Sequence, residues 1–357
     1  MTQFHSLVIK EIRKETSDCV SISFEIPRHL SKQFEFEPGQ NITLKHIISG
    51  EELRRSYSIC SSPLEKELRI AVKKINAGQF STHANREFKV GDTLQVLPPS
   101  GRFSARINKS DTGNYLAFAS GSGITPVISI IKTILASHHH SQFTLVFGNR
   151  NRTSIIFKEQ LEAIKNRYMD RFSLHNIFSR EITDADIYHG RIDALKCEQL
   201  SHYLINIIYM DHIFICGPEE MIFNTRDWLL KKGIDKNKIH FELFTVPGQK
   251  TIINSFSEIK SSEKTSAITL TLDGRAINYN LEYYGLSVLD GALREGADLP
   301  FACKGGVCAT CKAKLISGEV EMDNNYALEA EELAAGFILT CQSHPRTDSV
   351  EINFDLR

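Results

Sequence analysis

Pro300-Phe301-Ala302-Cys303-Lys304-Gly305-Gly306-Val307-Cys308-Ala309-Thr310-Cys311 is the stretch on which the reading of this chain turns. Its cysteines are spaced C-x4-C-x2-C, and Cys341 follows after 29 intervening residues. Four thiolates so spaced are the ligand set of a plant-type [2Fe–2S] cluster, a one-electron carrier of low potential. Gly305 and Gly306 let the backbone curl close to inorganic sulfide where a Cβ would collide. Small Ala302, Ala309 and Thr310 leave room for amide groups to point at the cluster and tune it. A zinc knuckle or a disulfide loop is the alternative. Structural zinc favours two C-x2-C pairs, and this segment has one.

Working outward, the flanks read as a small grasp-like sheet over 266–357. Ala267–Leu272 and Ala276–Leu281 alternate as strands around the hairpin signal Asp273-Gly274. Ser287 caps a short helix, Val288–Glu295. After the cysteines come a strand at Lys312–Ile316, a helix at Leu328–Ala335 stopped by Gly336, and strands at Phe337–Thr340 and Val350–Phe354. Residues 266–357 hold 7 Lys and Arg against 14 Asp and Glu, and the rest of the chain 35 against 29. An acidic tail suits docking on a positive surface, and a basic remainder suits phosphate-rich cofactors. Solubility alone also accounts for the acidic tail. The acidic helix residues Glu329, Glu331 and Glu332 read as a solvated face, or as a border of the cluster that meets an electron acceptor.

Further upstream the character changes twice. Residues 1–108 alternate apolar and polar over short runs with turn signals between them, as in an antiparallel β-barrel. Residues 109–246 alternate strands with helices, as in a Rossmann-like parallel α/β domain. Residues 247–265 are polar and turn-rich, a linker. The expected fold is thus multidomain, β and α/β, with the β-grasp [2Fe–2S] domain last.

Three segments carry chemistry. Arg55-Ser56-Tyr57-Ser58 ends a barrel strand. Arg55 suits a pyrophosphate, Tyr57 offers a flat face to an isoalloxazine, and the Ser58 hydroxyl suits the ring's N5. Gly78-Gln79-Phe80-Ser81-Thr82 is a glycine turn opening a helix, whose amides bind phosphate. Each alone is also an ordinary strand end or capped turn; both in one barrel, in this order, point to a flavin. Gly121-Ser122-Gly123-Ile124-Thr125-Pro126 follows a strand and opens a helix, the context of a pyrophosphate turn, with Pro126 where G-x-G-x-x-G has its third glycine. Cys216-Gly217-Pro218 ends a later strand at the same sheet edge, where the Cys216 side chain would meet a nicotinamide.

In that order and spacing these segments resemble the ferredoxin–NADP reductase superfamily. With the C-terminal cluster domain, the whole chain resembles the reductase subunits of oxygenases. Cys303–Lys314, Gly318-Glu319-Val320-Glu321-Met322, Asn325-Tyr326-Ala327-Leu328 and Leu339-Thr340-Cys341-Gln342 resemble the branch that serves the di-iron oxygenases of phenylacetate degradation. The resemblance implies FAD as the flavin, with Glu242 and Phe244 placed against it after the last strand. It implies Ser179 and Arg180 at the 2′-phosphate of NADPH, with Arg150 and Arg152 adding charge; an acidic residue there would favour NADH. Electrons would run from NADPH through FAD and [2Fe–2S] to a multi-subunit di-iron oxygenase, with Ser58, Cys216 and Glu242 shaping the hydride approach. A Rieske dioxygenase, a desaturase or a hybrid-cluster protein is the alternative acceptor. An electron-carrier subunit with a degenerate nucleotide site is the alternative from another class.

The composition, 41% hydrophobic and 24% charged, is that of a globular protein. No window approaches 18 uncharged apolar residues, and Met1–Lys14 lacks an apolar signal core, so the expectation is a cytoplasmic protein without membrane insertion. Nothing suggests nucleic acid. Eight cysteines would be unusual there as disulfides; four suit metal ligands, and most of Cys19, Cys60, Cys197 and Cys216 read as small buried hydrophobes. His138-His139-His140 reads as a polar helix end and not as a metal tract.

Overall fold

A computed structural model of the chain describes residues 3–101, 103, 112–244 and 264–356. The expected linker, 247–265, lies outside these up to residue 263. The chain parts into two compact units. One comprises Ser6–Leu53 and Tyr57–Phe244; the other comprises Met1–His5, Arg54–Ser56 and Thr245–Arg357.

The larger unit opens with β1 (His5–Thr16), β2 (Cys19–Glu25), β3 (Asn41–Ile48), β4 (Glu51–Ser58), β5 (Leu68–Lys73), α1 (Gln79–Arg86) and β6 (Thr93–Val96). The strands form one sheet in the order β4-β3-β6-β1-β2-β5. The chain beyond β4 then pairs with β5 through an Ile59–Ile70 bridge, and Cys60 N donates to Arg69 O at 2.8 Å. That pairing closes the sheet into the expected antiparallel barrel, removing two edges that would otherwise stay unpaired. Inward residues such as Leu7, Ile9, Ile22, Ile42, Leu44 and Ile70 fill it.

A five-stranded parallel sheet follows, from β7 (Asn114–Ser120), α2 (Ile124–Ser137), β8 (Gln142–Asn149), α3 (Lys158–Arg167), β9 (Phe172–Phe178), α4 (Ala194–Tyr203), β10 (His212–Cys216), α5 (Glu219–Lys231) and β11 (Ile239–Glu242). Its order, β11-β10-β7-β8-β9, reverses direction at β7. Crevices at such a switch point, outside the carboxyl ends of the strands, are where ligands bind in open α/β sheets. The apolar run Tyr115–Ala119 is buried on both faces, as a central parallel strand must be. Helix α2 is apolar nearly all round, because one side meets the sheet and the other meets Cys19, Cys60 and Ala71 of the barrel. Polar groups fix that seam. Ser129 Oγ donates to Ser61 O at 2.6 Å, Ser62 and Thr133 share a hydroxyl bond of 2.8 Å, and Lys132 pairs with Glu65 at 3.1 Å.

The cluster-bearing unit holds β12 (Thr265–Leu272), β13 (Arg275–Glu282), α6 (Val288–Arg294), β14 (Lys312–Ser317), β15 (Val320–Met322), α7 (Ala330–Ala334), β16 (Phe337–Leu339), β17 (Ser343–Pro345) and β18 (Ser349–Asn353). The main sheet runs β13-β12-β18-β14-β16, with β12 and β18 parallel and the other pairs antiparallel, which is the expected grasp. Ser287 caps α6 as expected, its Oγ accepting from Asp290 N at 3.1 Å. The acidic helix is shorter than expected. Glu329 serves as its N-cap, and Glu332 turns inward, 5% exposed, to bond Glu329 N and pair with Lys312. The solvated-face reading therefore fails for Glu332, because its carboxylate satisfies the cap and a lysine. Helices α3 and α4 and the small β15–β17 pair were not anticipated; the last two are three-residue strands too short to show a period.

Candidate functional site

In the barrel, β4 carries Arg55, Tyr57 and Ser58 in succession. Arg55 is exposed, Tyr57 half-buried and Ser58 4% exposed. The Tyr57 ring lies 5.8 Å from the Phe80 ring, tilted by 37°. Phe80 is buried in α1, which Gly78 caps through its backbone. Ser81 Oγ accepts from Ile75 N at 3.2 Å and Thr82 N donates to Gly78 O at 3.0 Å, so the turn before α1 is tied to its first turn.

The parallel sheet brings the other expected residues to its carboxyl edge. Gly121–Gly123 form a 3-10 turn between β7 and α2, and Thr125 Oγ1 donates to Ser122 O at 3.0 Å. Gly123 has no alternative: a Cβ built there falls 2.0 Å from Cys216 O. The strand register places Cys216 beside Ala119 on one side and Glu242 on the other. Ser58 Oγ donates to Glu242 Oε2 at 3.1 Å. Burial raises the Cys216 thiol well above its usual range, and the Glu242 charge adds to the rise. Ser58, Glu242 and Cys216 are thus neighbours, with the thiol fully buried and neutral. Gly217 follows Cys216 and is half-buried, and Phe244 is 39% exposed.

Ser179 and Arg180 follow β9. Their amides donate to Asn149 O at 3.0 Å and Arg150 O at 2.9 Å, which zips the ends of β8 and β9 together. Arg150 and Arg180 are exposed there, and the Arg152 side chain is 61% exposed. Lys73, at the end of β5, escaped sequence reading; its Nζ lies 3.6 Å from where a Gly121 Cβ would sit, which sets a cation by the Gly121–Gly123 turn. Glu181 also escaped it, and pairs with Arg152 at 3.1 Å.

In the other unit the four cysteine sulfurs gather. Cys303 lies close enough to Cys308 and Cys341 to perturb their thiols, and Cys311 close enough to perturb that of Cys341. Cys311 and Cys341 are buried and Cys303 and Cys308 half-buried. Gly305 N donates to the Cys303 sulfur at 3.3 Å and Gln342 Nε2 reaches the Cys341 sulfur at 3.8 Å. Gly306 takes φ +77°, and a Cβ there would press on Asn324 O at 2.9 Å. Converging thiols with inward amides on a tightly curled loop fit an iron–sulfur cluster held by four thiolates.

Three family descriptions match in succession: an oxidoreductase FAD-binding domain over residues 6–105, an oxidoreductase NAD-binding domain over 118–227, and a 2Fe-2S iron–sulfur cluster binding domain over 270–346. One of the subunits of the 1,2-phenylacetyl-CoA epoxidase of Escherichia coli K12 is 45% identical, over 100% of this chain and 99% of that one. The ferredoxin reductase component of the 3-ketosteroid-9-alpha-monooxygenase of Rhodococcus rhodochrous is 32% identical, over 98% and 96%. Among solved structures, phthalate dioxygenase reductase has the same architecture, with a TM-score of 0.58 at 22% identity over 98% of both chains. The chain belongs to the ferredoxin–NADP reductase superfamily, among the oxygenase reductases that carry FAD-binding, NAD-binding and [2Fe–2S] domains in one polypeptide.

Proposed function

We propose that this chain is the NADPH-oxidising reductase of a multi-subunit di-iron oxygenase that epoxidises phenylacetyl-CoA. The observation that carries the reading is the 45% identity to the phenylacetyl-CoA epoxidase component, which runs end to end through all three domains. FAD when bound accepts a hydride and the cluster passes single electrons on at about −400 mV. The chain's own residues supply the rest. Arg55 and the α1 start at Gly78–Thr82, with Phe80 and Ser81, would hold the flavin phosphates, and Tyr57 and Phe244 would pack against its ring. Gly121, Gly123 and Thr125 shape the turn that takes the coenzyme pyrophosphate, with Lys73 adding charge. Ser58, Glu242 and Cys216, with Gly217 beside it, form the wall against which nicotinamide and flavin are pressed together; transfer needs near-contact. Ser58 Oγ, oriented by Glu242, would offer its hydroxyl oxygen to the ring's N5. Cys303, Cys308, Cys311 and Cys341 hold the iron.

Ser179 and Arg180 support NADPH over NADH. Among the described residues no ion-pair partner holds the Arg180 or Arg150 guanidinium, and both stand exposed at the joined ends of β8 and β9. The domains we assign are 1–108, 109–246 and 266–357, with a linker over 247–265. The protein works in the cytoplasm; no described helix is long and apolar enough to cross a membrane.

The test is reconstitution. Anaerobic NADPH should bleach the bound flavin and then the cluster. The reduced protein should support turnover of phenylacetyl-CoA by a purified epoxidase. Bleaching without turnover would keep the NADPH–flavin–cluster relay and discard that acceptor. The second reading, another oxygenase as acceptor, draws on the 32% identity to the ketosteroid monooxygenase component.

A further inference from the structure

Three arginines cluster where β8 and β9 end, and they are not equivalent. Arg152 is held twice by one carboxylate: its backbone N donates to Glu181 Oε2 at 2.8 Å and its Nε lies 3.1 Å from Glu181 Oε1. The Arg150 and Arg180 side chains have no such partner among the described residues. Glu181 is the only acid in the two facing segments, Asn149–Arg152 and Ser179–Glu181. Its side chain is 28% exposed, and the amide bond fixes it independently of the surface ion pair. An exposed pair alone would hold little. Arg152 also lines a groove of about 460 Å³ with Leu174, Asn176, Phe178 and Tyr188. The Asn176 Oδ1 is buried there without a partner. The groove also carries the charges of Lys158, Glu162 and Asp184 beside its aromatic rings.

We propose that Glu181 is a specificity-determining residue that restrains the preference for NADPH, by sequestering Arg152 and setting a negative charge beside the 2′-phosphate. This rests on Ser179 and Arg180 being the 2′-phosphate contacts. The carboxylate repels a dianionic phosphate and withholds one guanidinium from it, whereas the 2′-hydroxyl of NADH meets neither penalty. One full charge at a partly exposed position is worth about tenfold in affinity. Neutralising it favours NADPH alone.

The experiment measures dissociation constants of 2′,5′-ADP and 5′-AMP by calorimetry, with kcat/KM for NADPH and NADH, on the flavin- and cluster-loaded protein. The variants are Glu181→Gln, Arg180→Gln and Glu181→Gln/Arg152→Gln. The expected result is about tenfold tighter 2′,5′-ADP in Glu181→Gln with 5′-AMP unchanged. The NADPH/NADH ratio should rise through KM and not kcat. The gain should shrink at high salt, which a merely structural role would not do, and should diminish in the double variant. If Glu181→Gln leaves 2′,5′-ADP unchanged while Arg180→Gln weakens it, the proposal is overturned and the 2′-phosphate assignment stands. If neither substitution moves 2′,5′-ADP, both are overturned.

Discussion

Ser58 Oγ donates to Glu242 Oε2 across 3.1 Å, a bond joining the last residue of a barrel strand to the last residue of a parallel-sheet strand. The two residues are 184 apart in sequence. The bond orients the hydroxyl, and the carboxylate in turn faces the buried Cys216. Ser58→Ala should therefore slow flavin reduction by NADPH by about a hundredfold, the low end of the range for losing one preorganised hydrogen-bonding group. The coenzyme dissociation constant should change little. Stopped-flow bleaching of the flavin reads both. An unchanged limiting rate would remove Ser58 from the hydride path.

Gly123 sits where chain crosses chain. Gly123→Ala would force a methyl within 2.0 Å of the Cys216 carbonyl, a backbone atom that cannot swing aside. Overpacking of this kind costs about 1–3 kcal/mol, and here it also pushes the Gly121–Gly123 turn, the proposed pyrophosphate site, away from β10. Thermal unfolding should drop by several degrees and coenzyme affinity should fall, while cluster absorbance stays intact. A variant of unchanged melting temperature and affinity would refute the close approach.

Much of this was legible because backbone demands leave marks in sequence. The cysteine spacing of Cys303–Cys311 answers to the ligation a cluster asks for, and Gly121–Pro126 and Cys216–Pro218 to close approach and chain reversal, demands few residue types satisfy. The Arg55–Ser58 strand end was legible for the same reason, since its residues are strung along one strand. What stayed hidden depended on which side chains tertiary packing brings together. Nothing local marks Lys73 as a neighbour of Gly121, or Glu181 as the partner of Arg152. Glu332 looked like its exposed neighbours Glu329 and Glu331 because a three-acid helix shows no periodicity that tells inward from outward. Short β15 and β17 were invisible for want of length.

Buried thiols make a pH signature. Burial pushes Cys60 and Cys197 up to about 12, and Cys19 and Cys216 also rise, from a usual value of 9.0. Folded thiols stay protonated where unfolded ones ionise, so above pH 9 the unfolded state binds fewer protons and stability falls as pH rises. Below pH 9 both states are protonated and the effect vanishes. Each such thiol removes about 1.4 kcal/mol by pH 10. Urea unfolding, followed by the fluorescence of buried Trp228, should show a falling midpoint between pH 9 and 10. The Cys60→Ala/Cys197→Ala variant should fall less steeply. Identical slopes would mean that these thiols ionise in the folded protein.

Glu332 and Lys312 form a largely buried ionic contact with a clear consequence. The carboxylate is 6% exposed, lies 3.0 Å from Lys312 Nζ and also accepts from Glu329 N at 3.1 Å. Glu332→Ala removes a helix cap and strands a lysine whose side chain is only 21% exposed. That loss should cost about 3 kcal/mol, near the cost of breaking a buried pair. Lys312 follows the proposed ligand Cys311 directly and begins β14, so the damage should reach the cluster loop. The visible absorbance of the cluster should disappear at a lower urea concentration than in the parent, while flavin absorbance keeps its own midpoint. Replacing both partners, as Lys312→Met/Glu332→Leu, removes the unpaired charge and should recover most of the loss. If Glu332→Ala bleaches at the parent's urea concentration, the pair contributes nothing to holding the cluster domain together. If the double variant is as weak as the single one, the cap to Glu329 and not the ion pair is what matters.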